Sequence, residues 1–231
     1  MANRMARFVA TLLVALGLVS LSPVAQAGNV KPMYHWSYHD QGHLGRRWSI
    51  WTDARRNKHY VSYGNGHLNL NVRHNRLGTW KGSAAVLEIP RTYGRFVVRC
   101  ASEAGPWTKV NLNLWPANHH WPPEINFLEM GDWWWRRQRG TQTLHYGTPQ
   151  THKMVHSHYR RDMTRWHDVG IVWRRNRISY LLDGRITRTI KGPFVPDEPM
   201  KLHLSVVPTK LHNREPKHTI ALKVASVKVF E

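Results

Sequence analysis

The chain has 231 residues. Its 34 Lys and Arg against 14 Asp and Glu give a formal charge of +20 at neutral pH, with the 16 histidines neutral. A single cysteine, Cys100, excludes an intrachain disulfide, and past residue 27 no apolar run approaches the roughly 18 residues that a membrane-spanning helix needs.

In chain order, residues 1–27 read as a secretory signal peptide. Arg4 and Arg7 supply the positive start, Phe8 to Leu21 the apolar run, and Ala25-Gln26-Ala27 a small-residue cleavage site. The mature protein is then expected at Gly28, secreted or periplasmic, with no membrane association after cleavage. Residues 28–231, which are 231 less 27 or 204 in number, suffice for one domain with a sizeable core. The leader holds two of the basic residues and no acidic one, so the remainder carries 32 against 14, or +18. Such a field attracts polyanions and is weakened by salt. Acidic polysaccharide, nucleic acid and an anionic cell envelope are the candidate partners; adaptation of an exported protein to its surroundings is the alternative source of the charge.

From residue 34 the pattern is all-β, with short alternating runs punctuated by Gly, Asn and Pro. Gly64-Asn65-Gly66 marks a turn, and Leu68, Leu70 and Val72 then alternate with polar residues. Tyr93-Gly94 opens a strand with Phe96, Val98 and Cys100 on one parity and Arg95, Val97 and Arg99 on the other. Cys100 therefore reads as a buried core thiol. Lys109 to Trp115 sets Leu112 and Leu114 against Asn111, Asn113 and Trp115. Thr141, Thr143 and His145 alternate with Gln142, Leu144 and Tyr146. Asp183-Gly184 is a two-residue hairpin signal between Ile178–Leu182 and Arg185–Ile190, and Ile220 to Phe230 closes the domain. Strands with one apolar face and one face of Asn, Arg, His and Trp predict a two-sheet antiparallel sandwich with a solvent-facing functional sheet.

Trp121 to Gly131 carries the chemistry. Glu124 and Glu129 stand in an otherwise apolar β-like run, and residues five apart on a regular strand point to opposite faces. One extra residue, a β-bulge, would put Glu124, Asn126 and Glu129 on one face and turn Ile125 and Met130 to the core. Two carboxyls on one wall is the arrangement that glycoside hydrolysis requires.

Glu124-Ile125-Asn126-Phe127-Leu128-Glu129 resembles the Glu-x-Asp-x-x-Glu signature of glycoside hydrolase family 16, the laminarinase- and lichenase-like enzymes. Tyr93-Gly94-Arg95-Phe96, Leu114-Trp115-Pro116, Leu144-His145-Tyr146-Gly147, Arg165-Trp166-His167 through Trp173, Asp183-Gly184 and Val227-Lys228-Val229-Phe230 are similar to further segments of that family. The resemblance implies an all-β two-sheet antiparallel β-jelly-roll sandwich with a concave glycan-binding cleft. It implies a retaining endo-glycosidase or transglycosylase, with Glu124 as nucleophile and Glu129 as acid/base. Asn126 stands where the family has Asp, which opens the alternative of a glycan-binding protein with weakened turnover. If Asn126 donates a hydrogen bond to Glu124 it still orients the nucleophile, but it adds no charge to raise the proton affinity of Glu129.

Trp115, Trp121, Arg99, His145 and Asn113 are the candidate substrate-binding residues, with His145 expected beside the acid/base carboxyl. Trp166 and Trp173 are assigned to the core, and Trp133-Trp134-Trp135 to a loop at the cleft mouth. The histidines lack zinc-ligand spacing; His119-His120 and His156-x-His158 read as solvated loop residues. Ala225 stands where many relatives carry a calcium-binding Asp. The expectation is no metal, no cofactor, no specific nucleic acid, a monomer, and a polysaccharide substrate that is a β-glucan or an acidic exopolysaccharide.

Cleavage after Ala27 is testable by intact-mass measurement of protein from the native host. A mass starting at Gly28 is expected; a species retaining Met1 to Ala27 would refute the signal assignment.

Overall fold

A computed structural model of the protein describes residues 30–52, 60–74, 79–103, 108–131, 137–209 and 220–231. The signal and the Trp133-Trp134-Trp135 segment lie outside them. Lys31–Glu231 forms one compact unit. In chain order its strands are β1 (Tyr34–Ser37), β2 (Trp48–Thr52), β3 (Val61–Gly64), β4 (His67–Asn71), β5 (Arg73–His74), β6 (Trp80–Lys81), β7 (Ser83–Arg91), β8 (Gly94–Ser102) and β9 (Thr108–Pro116). They continue as β10 (Glu124–Met130), β11 (Arg139–Tyr146), β12 (Lys153–Arg160), β13 (His167–Arg174), β14 (Arg177–Leu182), β15 (Arg185–Lys191), β16 (Met200–Pro208) and β17 (Ile220–Phe230). One helical turn, α1 (Tyr38–Gln41), is capped by the Ser37 side chain and ended by Gly42 in the left-handed region.

Two antiparallel sheets make the expected jelly-roll sandwich. The first runs β15-β14-β13-β8-β17-β4-β3, with β1 also paired to β17; the second runs β12-β11-β10-β9-β16-β7-β2. Their inner faces meet in a single apolar core. Phe96, Val98, Ile171 and Trp173 come from the first sheet, and Leu112, Leu114, Ile125 and Leu202 from the second. Each such side chain contributes about 1.5–3 kcal/mol by leaving water. Alternation decides which residues these are, because successive side chains on a strand point to opposite faces.

The hairpin signals act as read. Asn65 and Gly66 have φ of 53° and 81°, and Asp183 and Gly184 have 50° and 76°. Positive φ at both central residues is the turn geometry whose twist matches the flanking strands. Cys100 is fully buried, and desolvation pushes its thiol up to about 12, so it is an inert core group. Trp173 is buried, with its indole N–H donating to the Pro196 carbonyl. Trp166 departs from expectation: it is 37% exposed, edge-on to the His67 ring. It precedes β13 rather than belonging to it, so strand parity does not drive it inward.

Gly170 shows how closely the strands of the first sheet approach. A Cβ there would collide with the backbone carbonyl oxygen of Phe96 on β8, an atom that cannot swing aside. Gly170→Ala is expected to lower stability by about 2 kcal/mol, the usual scale of overpacking. The urea midpoint checks it, and an unchanged midpoint would contradict this packing.

Candidate active site

β10 carries one residue too many for its neighbours. Against β9 its pairing steps from Asn126↔Asn113 to Leu128↔Leu112, and against β11 from Asn126↔Thr143 to Glu129↔Thr141. The extra residue lies at Phe127–Leu128, and both of those side chains are fully buried. Beyond the bulge the parity is reset, so Glu124, Asn126 and Glu129 share the outer face while Ile125 and Met130 are buried. The bulge expected from the Glu124–Glu129 spacing is therefore present.

Register places further residues on the same face. His203, Asn113, Asn126, Thr143 and His156 form one row across β16, β9, β10, β11 and β12. Ser205, Asn111, Glu129, Thr141 and His158 form the next. Trp115 shares the parity of Asn113 and lies opposite Lys201, with its ring near His203.

Each carboxylate is held at both oxygens. Asn113 Nδ2 donates to Glu124 Oε1 at 2.8 Å, and Trp121 Nε1 donates to Glu124 Oε2 at 3.1 Å. Thr143 Oγ1 donates to Glu129 Oε2 at 3.1 Å, and Lys109 Nζ forms an ion pair with Glu129 Oε1 at 2.5 Å. Asn126 supplies neither hydrogen bond to Glu124, contrary to expectation. Its side chain is 1% exposed, and its Oδ1 has no hydrogen-bond partner among the described residues. The donor role passes to Asn113, which stands beside it in register on β9.

His145 lies opposite Glu124 rather than Glu129. Its Nδ1 is 2.9 Å from His152 Nε2, and the Trp121 ring lies 4.7 Å from the His152 ring. Burial holds His145 below the ordinary histidine range, against the opposing pull of Glu124 and Glu129. His156 and His158 are not loop residues. They sit on β12 facing the site side, where His158 Nδ1 lies 3.0 Å from Thr141 Oγ1.

Arg99 is not brought to this face. It projects from β8 in the first sheet, where it pairs with Asp168 at 3.4 Å. Parity distinguishes outward from inward but does not tell which sheet's outer surface a residue joins, and the two outer surfaces lie on opposite sides of the core. Lys109, Thr143 and His152 went unselected in the sequence. Lys109 and Thr143 share the parity of Asn113 and His145 on their strands, a signal that was legible.

A buried cation supports the strand ends. Arg137 is 0% exposed, and its guanidinium donates to the backbone oxygens of Glu103, Thr108 and Met130 and to Thr108 Oγ1. It thereby ties the start of β9, next to Lys109, to the end of β10, next to Glu129. Among the described residues no group of three or more His, Cys, Asp or Glu is placed to hold a metal.

A jelly-roll sandwich whose open sheet carries two carboxylates on a bulged strand defines the β-sandwich glycosidases. The family model of the glycosyl hydrolases family 16 matches residues 28–223, and the chain belongs to that family. Solved structures agree in fold. A Bacteroides ovatus family 16 enzyme from a mixed-linkage glucan locus, in complex with a glucan product, superposes with a TM-score of 0.71 at 12% identity, covering 85% of this chain and 99% of that one. The catalytic domain of an endo-1,3-β-glucanase (laminarinase) from Thermotoga petrophila gives 0.68 at 16%, covering 88% and 98%. A laminarinase from Flavobacterium sp. UMI-01 gives 0.71 at 14%, covering 87% and 100%. No curated protein matches the sequence.

His203, beside Asn113, is held down to about 4, first by burial and then by His119 and Lys201, against an opposing pull from Glu88. The unfolded chain takes up a proton near pH 6.5 that the folded chain refuses until about pH 4. Stability from this group is present above pH 6.5 and lost as pH falls through that window, by about 3 kcal/mol at 1.36 kcal/mol per unit. His203→Gln is expected to flatten that loss. Urea unfolding at pH 7, 5.5 and 4 checks it; parallel curves for both proteins would remove His203 from the account.

Proposed function

We propose that the protein is a retaining endo-acting glycosidase on a β-glucan-type polysaccharide, with Glu124 as nucleophile and Glu129 as acid/base. The observation that carries this is the bulge at Phe127–Leu128, which sets both carboxylates on one face within a web of amide, indole, hydroxyl and ammonium donors. The endo-glucanase and laminarinase that share the fold support the substrate class.

The Asn113 amide and the Trp121 indole would each engage one oxygen of Glu124 and fix its orientation, leaving a lone pair free for attack on the anomeric carbon. Glu129 would protonate the leaving oxygen and then deprotonate the water that releases the glycosyl-enzyme. Lys109 and Thr143 each engage one of its oxygens, and each oxygen keeps a further lone-pair site at which the carboxyl can meet a sugar oxygen. Trp115 offers an indole face to a pyranose ring. The exported location expected from residues 1–27 would place this activity on extracellular or periplasmic glycan.

Asn126 favours a second reading, a glycan-binding protein with weakened turnover. The amide is buried, contributes no charge and leaves Glu124 to other donors. The two readings separate on turnover. Release of reducing ends from a panel of β-glucans is expected for the wild type. Glu124→Gln or Glu129→Gln should lower it by at least about a thousandfold, the scale of losing an essential catalytic group, while oligosaccharide binding persists. Asn126→Asp should raise turnover by restoring a charge between the two glutamates. Wild type and Asn126→Asp both inert on every glucan, with binding intact, would establish the binding protein. Full activity in Glu124→Gln would refute the assignment of β10.

A further inference from the structure

Three rings meet beside Glu124. The Trp121 ring, whose N–H donates to Glu124 Oε2 at 3.1 Å, lies 4.7 Å from the His152 ring and 5.9 Å from the His145 ring. The two histidine rings are stacked on each other at 5.1 Å and 20°, with His145 Nδ1 2.9 Å from His152 Nε2. One of these nitrogens carries the proton that the other accepts. His145 is placed by β11, opposite Glu124 in register, and Trp121 stands three residues before Glu124. His152 comes from elsewhere, the turn that joins β11 to β12.

That turn is built tightly. Gly147 has φ of 96°, which an L side chain rarely adopts, and a Cβ there would stand 2.6 Å from the Thr151 carbonyl oxygen. The Thr151 N–H donates to the Thr148 carbonyl and hydroxyl oxygens, and the Thr148 N–H donates back to Thr151 Oγ1. His152 follows at once, and Lys153 opens β12. The backbone from which His152 projects is therefore fixed. Its side chain is exposed, and an exposed polar side chain ordinarily keeps several rotamers. Ring contacts with Trp121 and His145, and the hydrogen bond to His145, select one.

We propose that His152 is a positioning residue: its ring holds Trp121 in the rotamer that donates to Glu124, and His145 holds His152 in place. The proposal rests on the reading of Glu124 as nucleophile. Rotation about the Trp121 side-chain torsions would swing the indole N–H off the carboxylate. Glu124 would then keep only the Asn113 hydrogen bond, on its other oxygen, and could turn about it. The separation of 4.7 Å lies in the range of favourable aromatic pairs, so the contact restrains the indole without a bond of its own to the carboxylate.

The first readout needs no turnover. Hydrogen exchange of the Trp121 indole N–H is followed by NMR, its signal assigned by loss in Trp121→Phe. His152→Ala is expected to speed exchange about tenfold, while His152→Phe, which keeps a ring against the indole, stays within about threefold of wild type. The effect must pass through Glu124. In a Glu124→Ala background the same His152→Ala change should alter exchange by less than about threefold, because the hydrogen bond is already gone.

The second readout is hydrolysis of β-glucan. His152→Ala should lower kcat about tenfold with KM within about twofold, the pattern of a misplaced reacting group, and His152→Phe should restore most of it. Lys153→Ala, the next residue along, is the control and should match wild type in both readouts. Unchanged exchange in His152→Ala, equal acceleration with and without Glu124, a Phe variant as impaired as the Ala variant, or a raised KM with kcat intact would each overturn the proposal. A wild type without turnover would count against the enzyme reading alone, since exchange decides the role of His152 by itself.

Discussion

The site depends on one extra residue in one strand. A β-strand repeats every two residues, and five residues separate Glu124 from Glu129, so without the bulge one glutamate would be driven into the core. An unpaired carboxylate buried there costs several kcal/mol. The cost of the bulge itself, a disturbed ladder, is offset by burial. Phe127 and Leu128 are successive, both fully buried, and together contribute roughly 3–6 kcal/mol at the usual scale for large apolar side chains. Two consecutive core residues can point the same way only where the strand bulges. The apolar demand of the interior and the polar demand of the outer face are met by the same irregularity.

The neighbours of β10 then define the chemistry. β9 contributes Asn113 to one carboxylate and Lys109 to the other, and β11 contributes Thr143. These three side chains sit on antiparallel strands whose inner faces are packed, so the backbone positions from which they project are fixed by the core beneath them. Arg137 reinforces this from behind by binding backbone oxygens of both strand ends. The carbonyl and hydroxyl oxygens it binds belong to the strands that carry the site, so its hydrogen bonds hold the two strand ends together.

Basic residues stand on both outer surfaces. On the first sheet Arg99 pairs with Asp168 in an exposed pair of small energetic weight, and Arg174 faces Arg177 across β13 and β14. On the second, Arg139 faces Arg160 across β11 and β12, on strands that also carry Thr143 and His145.

Much of this was legible in the amino-acid order. Alternation identified the strands, Asn65-Gly66 and Asp183-Gly184 marked hairpins because positive φ suits those residues, and the Glu124–Glu129 spacing required the bulge. The buried state of Cys100 followed from parity in the same way. Three-dimensional assembly decided what periodicity cannot encode. Arg99 and Asn113 both read as outward, yet one joins the far surface and the other holds Glu124, because parity does not say which sheet a strand enters. Asn126, standing where the family has Asp, was the residue expected to donate to the nucleophile; Asn113 does so since antiparallel register brings it alongside. Arg139 and Arg160 follow the same logic: they are twenty-one positions apart in the chain, and only the pairing of β11 with β12 sets them face to face. Local sequence determines which way a side chain points, and strand pairing determines what it meets.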